Sequence, residues 1–200
     1  MQGIIRIGVF YDGCHFSYAQ KYFYTKGLGW LSYQPFHKFI EEFINNKLQG
    51  DFEYKVVYSA WYQGLHTTKH SDESQLKKER ANHHDLMHAG IDVKYLPMSE
   101  DQSEKGVDVA LAIDALEMGL ADIFDVAVLV TGDGDFVPLA RSLMKHSINV
   151  FNLYFEYEQN GHKSFSNARL KEACSYDLNF NSLETAKEYK RDFLSFFRRA

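Results

Sequence analysis

The chain has 200 residues, of which 45% are hydrophobic and 24% charged, and its formal net charge is −5. Length and composition predict a globular protein with one sizeable core, and the acidic balance excludes a protein that coats nucleic acid by bulk attraction, which needs concentrated Lys and Arg. The two cysteines, Cys14 and Cys174, lie far apart, which argues against a disulfide framework or a four-ligand zinc site and suits a reducing cytoplasm.

Five short apolar runs are predicted to be strands. The first is broken by Arg6 and Asp12 before it becomes long, so it is expected to be neither a signal peptide nor a membrane span. The five runs, in chain order, cover residues 4–11, 54–62, 91–98, 126–131 and 148–155. Helical patterns lie between them, at residues 35–48, 74–90, 107–121 and 136–146.

Strands that alternate with helices predict a mainly parallel sheet covered on both faces. We therefore expect a three-layer α/β fold with a five-stranded sheet of order 3-2-1-4-5. The predicted domain spans residues 1–160, and a long loop is expected over residues 156–167. Residues 161–200 form an extension ending in a helix over 182–200, which is expected either to pack on the domain or to mediate a homodimer.

Four aspartates are predicted to meet at one edge of this sheet. Asp12 follows the first strand, and Asp133 and Asp135 follow the fourth, which is its neighbour in the predicted order. Ligands of open parallel sheets bind beyond the carboxyl ends of the strands, where the strand order reverses. Asp108 opens the helix over 107–121, whose first turn is expected at the same edge.

Carboxylates that converge need a compensating charge, and Mg²⁺ or Mn²⁺ supplies it through oxygen ligands. Two such ions can activate a water and neutralise the leaving oxygen of a phosphodiester, which predicts phosphodiester hydrolysis. The alternative reading of Gly-Asp-Gly-Asp is a plain turn, because Asp bonds its own backbone and Gly accepts positive φ. Placement of carboxylates after both strands favours the functional reading.

Three motifs, "VFYDGCHF", "KGVDVALAIDAL" and "VAVLVTGDGDFVPLAR", resemble the NYN domain, and within it the LabA-like (DUF88) branch. The resemblance covers residues 4–155. It implies a PIN-like fold, a metal-dependent ribonuclease that leaves 5′-phosphate and 3′-hydroxyl ends, RNA as the partner, and an acidic site at Asp12, Asp108, Asp133 and Asp135. It also implies that these four aspartates serve as catalytic residues and metal ligands.

His15 departs from the family pattern, because many members carry Asp-Gly-x-Asn where this chain has Asp12-Gly13-Cys14-His15. His15 is either a substrate contact or a helix-opening residue. Lys105 and Arg141 are candidate phosphate contacts, with solvation and a salt bridge as their respective alternatives. Aromatic side chains near the strand ends are candidates for stacking on unpaired bases, although most are expected in the core: Tyr11, Phe16, Tyr18, Tyr58, Trp61 and Tyr62.

Two further stretches have polar, solvent-exposed sequence patterns. The histidines of "KKERANHHDLMH" lack the His-Glu-x-x-His order, which favours a solvated helix face, and Lys69 and His70 lie in a polar loop expected near the cleft. Two alternatives to a nuclease stay open: a non-catalytic RNA-binding or regulatory module, and a Toprim or HAD phosphotransfer fold. The last is disfavoured because Toprim requires a Glu, and HAD an Asp-x-Asp, after the first strand.

Overall fold

The computed structural model describes residues 3–66, 71–99, 103–159, 161–189 and 193–198. The strands are β1 Gly3–Asp12, β2 Trp30–Leu31, β3 Phe52–Leu65, β4 Asp92–Pro97, β5 Val126–Val130, β6 Asn149–Tyr154, β7 Tyr157–Gln159, β8 His162–Ser164, β9 Tyr176–Asn179 and β10 Phe197–Arg198. The α-helices are α1 Gly13–Thr25, α2 Tyr33–Leu48, α3 Glu73–His88, α4 Val107–Leu120, α5 Val137–Lys145 and α6 Ala168–Ala173. Lys69 and His70 lie outside the described residues.

The central sheet has the order β4-β3-β1-β5-β6-β9, and every pair of neighbouring strands is parallel. The five predicted strands are, in chain order, β1, β3, β4, β5 and β6. The predicted order 3-2-1-4-5 is therefore confirmed for these five strands. The sixth strand, β9, was not predicted. It is only four residues long and lies at the edge of the sheet beside β6, so it carries a weak apolar pattern.

Alternate side chains of the central strands enter two separate cores. Val9 and Tyr11 of β1 join the core beneath α1 and α2, whereas Phe10 joins the core beneath α4, α5 and α6. Val128 and Leu129 of β5 divide in the same way. This period of two, with both faces buried, produces the continuous apolar runs in the sequence and the three-layer α/β architecture.

The region after β6 contains more structure than the predicted loop. β7 and β8 form an antiparallel hairpin, and α6 follows it with Asn167 as its N-cap. The Asn167 side chain accepts a hydrogen bond from the Arg169 N–H at 2.9 Å. The expectation of one long loop over 156–167 was therefore wrong. The hairpin strands have only three residues each, too few to give a clear alternating pattern.

The prediction of a C-terminal helix over residues 182–200 was also wrong for the residues of this range that the structure describes. The chain there forms 3₁₀ turns at Phe180–Glu184 and Phe193–Phe196, and then β10, which pairs antiparallel with β2. The Ser32 N–H donates to the Phe196 carbonyl at 2.8 Å. This pairing uses backbone groups that an α-helix would need for its own hydrogen bonds, and the Phe spacing satisfies either conformation.

The phenylalanines of this segment nevertheless pack on the domain. Phe193, Phe196 and Phe197 are buried in the core beneath α1 and α2. Phe180 is fully buried, and its ring centroid lies 5.6 Å from that of Phe196. No helix in the described ranges is long and apolar enough to cross a membrane.

Candidate active site

Asp12 lies at the carboxyl end of β1 and caps α1 at the same time. Its Oδ1 accepts a hydrogen bond from the His15 N–H at 3.0 Å, and its Oδ2 accepts one from the Thr131 hydroxyl at 2.9 Å. A carboxylate oxygen has two lone pairs, so each oxygen keeps one for a further partner. Asp12 is therefore fixed in orientation and still able to bind a cation.

The same threonine also forms a hydrogen bond with Asp133. The Asp133 N–H donates to Thr131 Oγ1 at 3.1 Å, and Asp133 Oδ1 accepts from the Asp135 N–H at 2.9 Å. Asp133 thus caps the 3₁₀ turn Gly134–Phe136, which leads into α5. Gly-Asp-Gly-Asp therefore does form a turn. The same turn exposes the Asp133 and Asp135 side chains to solvent at the sheet edge.

Gly13 and Gly132 must be glycines, because neighbouring parts of the chain lie too close to them to admit a side chain. A Cβ on Gly13 would lie 2.6 Å from the Tyr62 carbonyl and 2.5 Å from Trp61 Nε1. A Cβ on Gly132 would lie 2.4 Å from the Phe165 carbonyl. These glycines allow the turns after β1 and β5 to pack against adjoining backbone, which brings the two acidic turns to one edge of the sheet.

Asp108 lies in the first turn of α4, as predicted, and it responds electrostatically to the other aspartates. Loss of hydration and repulsion from Asp12, Asp133 and Asp135 raise its pKa from 3.8 to about 6. Glu104 contributes a smaller repulsion, and its Oε1 accepts a hydrogen bond from the Gly64 N–H at 2.8 Å. The four predicted aspartates therefore share one electrostatic environment, which Glu104 extends.

His15 lies on the inner side of this site. Its ring is 5.6 Å from that of Phe155, and its Nε2 atom is buried with no hydrogen-bond partner among the described residues. Burial lowers its pKa, although Asp12 and Asp133 act in the opposite direction. The ring is thus neutral at pH 7, and one nitrogen of it has unused hydrogen-bonding capacity next to the carboxylates.

Lys105 and Arg141 are not brought onto the aspartates. Both are exposed, and neither forms an ion pair within the described ranges. Lys105 precedes Gly106, the N-cap of α4, so it lies at the same edge as Asp108. Arg141 lies in the middle of α5, beyond the acidic turn.

Asp114, a further aspartate of α4, accepts a hydrogen bond from the Tyr62 hydroxyl at 2.9 Å.

The aromatic candidates separate clearly by exposure. Tyr11, Phe16, Trp61 and Tyr62 are buried in the core, whereas Tyr18 is 57% exposed. Tyr58 is partly buried. Only Tyr18 among these six is available to a ligand to any large extent.

Sequence reasoning missed Thr131 and Glu104. Thr131 is fully buried, and its hydroxyl joins Asp12 to the backbone of Asp133. The available signal was a hydroxyl residue at the end of an apolar strand, directly before Gly-Asp. Glu104 lies two residues before Gly106. Its hydrogen bond with the Gly64 N–H depends on the position of β3 beside it, which the sequence does not show.

The oxygen ligands at this edge suit Mg²⁺ or Mn²⁺ in chemistry and charge. In the parts of the chain that are described, however, no three His, Cys, Asp or Glu side chains are close enough together to hold an ion unaided. Mg²⁺ in proteins commonly binds through one or two carboxylates and completes its sphere with water and substrate phosphate. The residues present fit that mode of binding.

Comparisons with known proteins agree with this architecture. The family model of the NYN domain matches residues 6–179. A crystal structure of a protein of unknown function from Vibrio parahaemolyticus superposes with a TM-score of 0.60, at 22% sequence identity, over 88% of this chain and 92% of that one. No curated protein matches the chain significantly.

Proposed function

Because the chain belongs to the NYN domain family, part of the PIN-like nuclease superfamily, we propose that it is an endoribonuclease dependent on Mg²⁺ or Mn²⁺. The observation that carries the proposal is that the Thr131 hydroxyl joins Asp12, at the end of β1, to the backbone of Asp133, after β5. The raised pKa of Asp108, caused by lost hydration and by Asp12, Asp133 and Asp135, supports it. Carboxylates that repel one another at the carboxyl edge of a parallel sheet are stabilised when a cation binds. We also assign the chain to the LabA-like branch on its three motifs.

Asp12 and Asp133 are the residues that would hold the metal directly. Thr131 and the backbone N–H groups of His15 and Asp135 fix their orientations. Asp108 and Asp135 would complete or orient the metal's coordination sphere. A bound divalent ion would lower the pKa of a water molecule and stabilise negative charge on the phosphate and the leaving oxygen.

The proposed reaction is hydrolysis at phosphorus. The oxygen of water attacks the phosphorus atom, the bond from phosphorus to O3′ breaks, and its electron pair remains on O3′, which takes up a proton. The products are a 5′-phosphate and a 3′-hydroxyl, and the water's own proton passes to a carboxylate or to solvent.

A non-catalytic RNA-binding module is the second candidate. The departure of His15 from the family's Asp-Gly-x-Asn pattern favours it. On this reading the acidic edge would keep the family's shape without its chemistry.

The test is cleavage of labelled single-stranded and hairpin RNA by the full chain in Mg²⁺, in Mn²⁺ and in EDTA. Asp12→Asn and Asp133→Asn are compared with Asp122→Asn, a matched control: Asp122 is 87% exposed and pairs with Arg6 before β5, at the opposite end of the sheet. Metal-dependent cleavage that only the first two variants lose is expected. No cleavage by the folded wild type, or undiminished cleavage by both variants, would overturn the proposal.

A further inference from the structure

Charge is unevenly distributed around the acidic edge. The chain carries a net charge of −5, yet residues 13–40 contain no Asp or Glu. This stretch begins immediately after Asp12 and includes the whole of α1. Helix α1 therefore extends from the carboxylates as a surface on which Lys21 and Lys26 are not opposed by acidic residues of their own helix.

The exposed side chains of α1 include aromatic and basic ones. Tyr18 is 57% exposed, and the Lys21 ammonium lies 5.0 Å from the centroid of its ring. One turn later Tyr22 stacks on Tyr157 of the β7–β8 hairpin, at 4.4 Å between centroids and 19° between planes. The Lys26 ammonium lies 5.5 Å from the Tyr22 ring. Tyr18 and Tyr22 are four residues apart, so they share one helix face.

This surface is continuous with the acidic edge. Asp12 is the N-cap of α1, and Cys14 is exposed in the first turn of the same helix, two residues further on. Cys14 and Tyr18 are again four residues apart. The basic and aromatic face of α1 thus begins where the carboxylates end, without an intervening element.

An exposed ring also lies beside the Gly-Asp-Gly-Asp turn. Phe165 is 65% exposed, and its backbone carbonyl packs against Gly132. The Asn167 N–H donates to the Gly132 carbonyl at 2.9 Å, which ties this segment to the acidic turn. The acidic edge is therefore accompanied by exposed aromatic rings from two separate parts of the chain.

Aromatic rings interleaved with lysines are the pattern that binds unpaired nucleic acid, because bases stack on the rings and phosphates meet the ammonium groups. A duplex hides its base faces and gives such rings nothing to stack on. We infer that the exposed face of α1, with Tyr18, Lys21 and Lys26, is a binding track that feeds single-stranded RNA to the acidic edge. The inference rests on the proposed nuclease function and names its substrate class.

The test measures binding of the full chain to a fluorescent oligouridylate in EDTA, where metal-dependent turnover is blocked. Tyr18→Ala is expected to weaken binding about tenfold, whereas Tyr18→Phe, which retains a ring, is expected to bind as the wild type does. Lys21→Gln is expected to reduce the salt dependence of binding by about one phosphate contact. Phe52→Ala is the control, since Phe52 is 46% exposed at the amino end of β3, opposite the acidic edge.

Three results would overturn the track. They are equal binding of oligouridylate by Tyr18→Ala and wild type, tighter binding of duplex than of single-stranded RNA, and a dimer in solution that Tyr18→Ala converts to a monomer. RNA cleavage distinguishes this inference from the nuclease proposal. Cleavage with no dependence on Tyr18 overturns the track alone, whereas Tyr18-dependent binding without any cleavage overturns the nuclease alone.

Discussion

The hydroxyl of Thr131 donates to Asp12 Oδ2 at 2.9 Å and accepts the Asp133 N–H at 3.1 Å. One buried side chain therefore sets the position of the carboxylate after β1 relative to the turn after β5. A hydroxyl is the group required here, because it can donate and accept at once. Thr131 is in this sense the positioning residue of the candidate site, although it is not itself expected to touch substrate.

Replacement of Thr131 by Val is expected to impair both folding and the site. Val has the same shape but leaves the Asp133 N–H without its acceptor and Asp12 without one donor. The expected loss is about 1–3 kcal/mol in the free energy of unfolding, measured by urea titration. RNA cleavage is expected to fall about ten- to a hundredfold, because one metal-binding carboxylate is misplaced.

Thr131→Ser is the matched variant, since it keeps the hydroxyl and removes only a methyl group. Its cleavage rate is expected to stay close to that of the wild type. Equal rates for the Val and Ser variants would show that the hydroxyl does not position the site.

Asp108→Asn is expected to stabilise the metal-free protein above pH 6. The folded state binds the Asp108 proton more tightly than the unfolded state does, because the pKa is about 6 in the fold and 3.8 ordinarily. Stability therefore falls as pH rises from about 4 to 6, and the penalty is complete above 6. Since Asp108 remains exposed, we expect a gain of no more than about 1 kcal/mol.

Thermal unfolding in EDTA at several pH values measures this effect. The two proteins are expected to converge below about pH 4, where Asp108 is protonated in both states. A variant that is less stable than the wild type at pH 7 would contradict the assignment of lost hydration and repulsion as the causes of the raised pKa.

Addition of Mg²⁺ at pH 7 is expected to raise the melting temperature of the wild type. An ion that binds only the folded state stabilises it by mass action, and its charge removes the repulsion around Asp108. The shift is expected to shrink in Asp133→Asn and to persist in Asp122→Asn, as calorimetry can establish. An undiminished shift in Asp133→Asn would place the bound ion elsewhere.

Gly132→Ala is expected to cost about 1–3 kcal/mol, because its Cβ would lie 2.4 Å from the Phe165 carbonyl oxygen. The obstacle is backbone, so Phe165→Ala in the same chain is expected not to restore stability. Gly134→Ala offers the contrast, since its Cβ would meet the Asn167 side chain, 2.5 Å from Nδ2. Combination with Asn167→Ala is expected to recover much of that loss in a double-mutant cycle of unfolding free energies. Rescue of Gly132→Ala by Phe165→Ala would contradict the packing described here.

The sequence allowed the first five strands of the sheet and their order to be predicted because both faces of the sheet are buried. Continuous apolar runs such as Val126–Val130 are then distinctive. The same order predicted that Asp12 and Asp133 would meet. Thr131 was missed because its role depends on two partners that are distant in sequence, and propensity gives no sign of such a bond.

The C-terminal region shows a different limit of sequence reasoning. Phenylalanines spaced as in residues 193–197 fit a helix face, but they equally fit a turn followed by an extended residue when partners surround them. The pairing of β10 with β2 depends on contacts across most of the chain. Local patterns do not contain that information, so tertiary contacts overrode the helical periodicity.

Phe180→Ala is expected to be among the most damaging single substitutions in the chain. The Phe180 ring is fully buried, with centroids 5.3 Å from Phe36 and 5.6 Å from Phe155, so it joins α2 to the end of β6. Its loss would leave a large cavity at an expected cost of about 3–5 kcal/mol in the free energy of unfolding, measured in urea.

Leu194→Ala provides the comparison for this substitution, because Leu194 is 62% exposed within the turn Phe193–Phe196. A change within about 0.5 kcal/mol is expected there. If both substitutions lower the free energy of unfolding by equally small amounts, the segment after β9 would not contribute to the core. A large loss at Phe180 alone means that the acidic edge is held in a fold whose core includes the segment after β9.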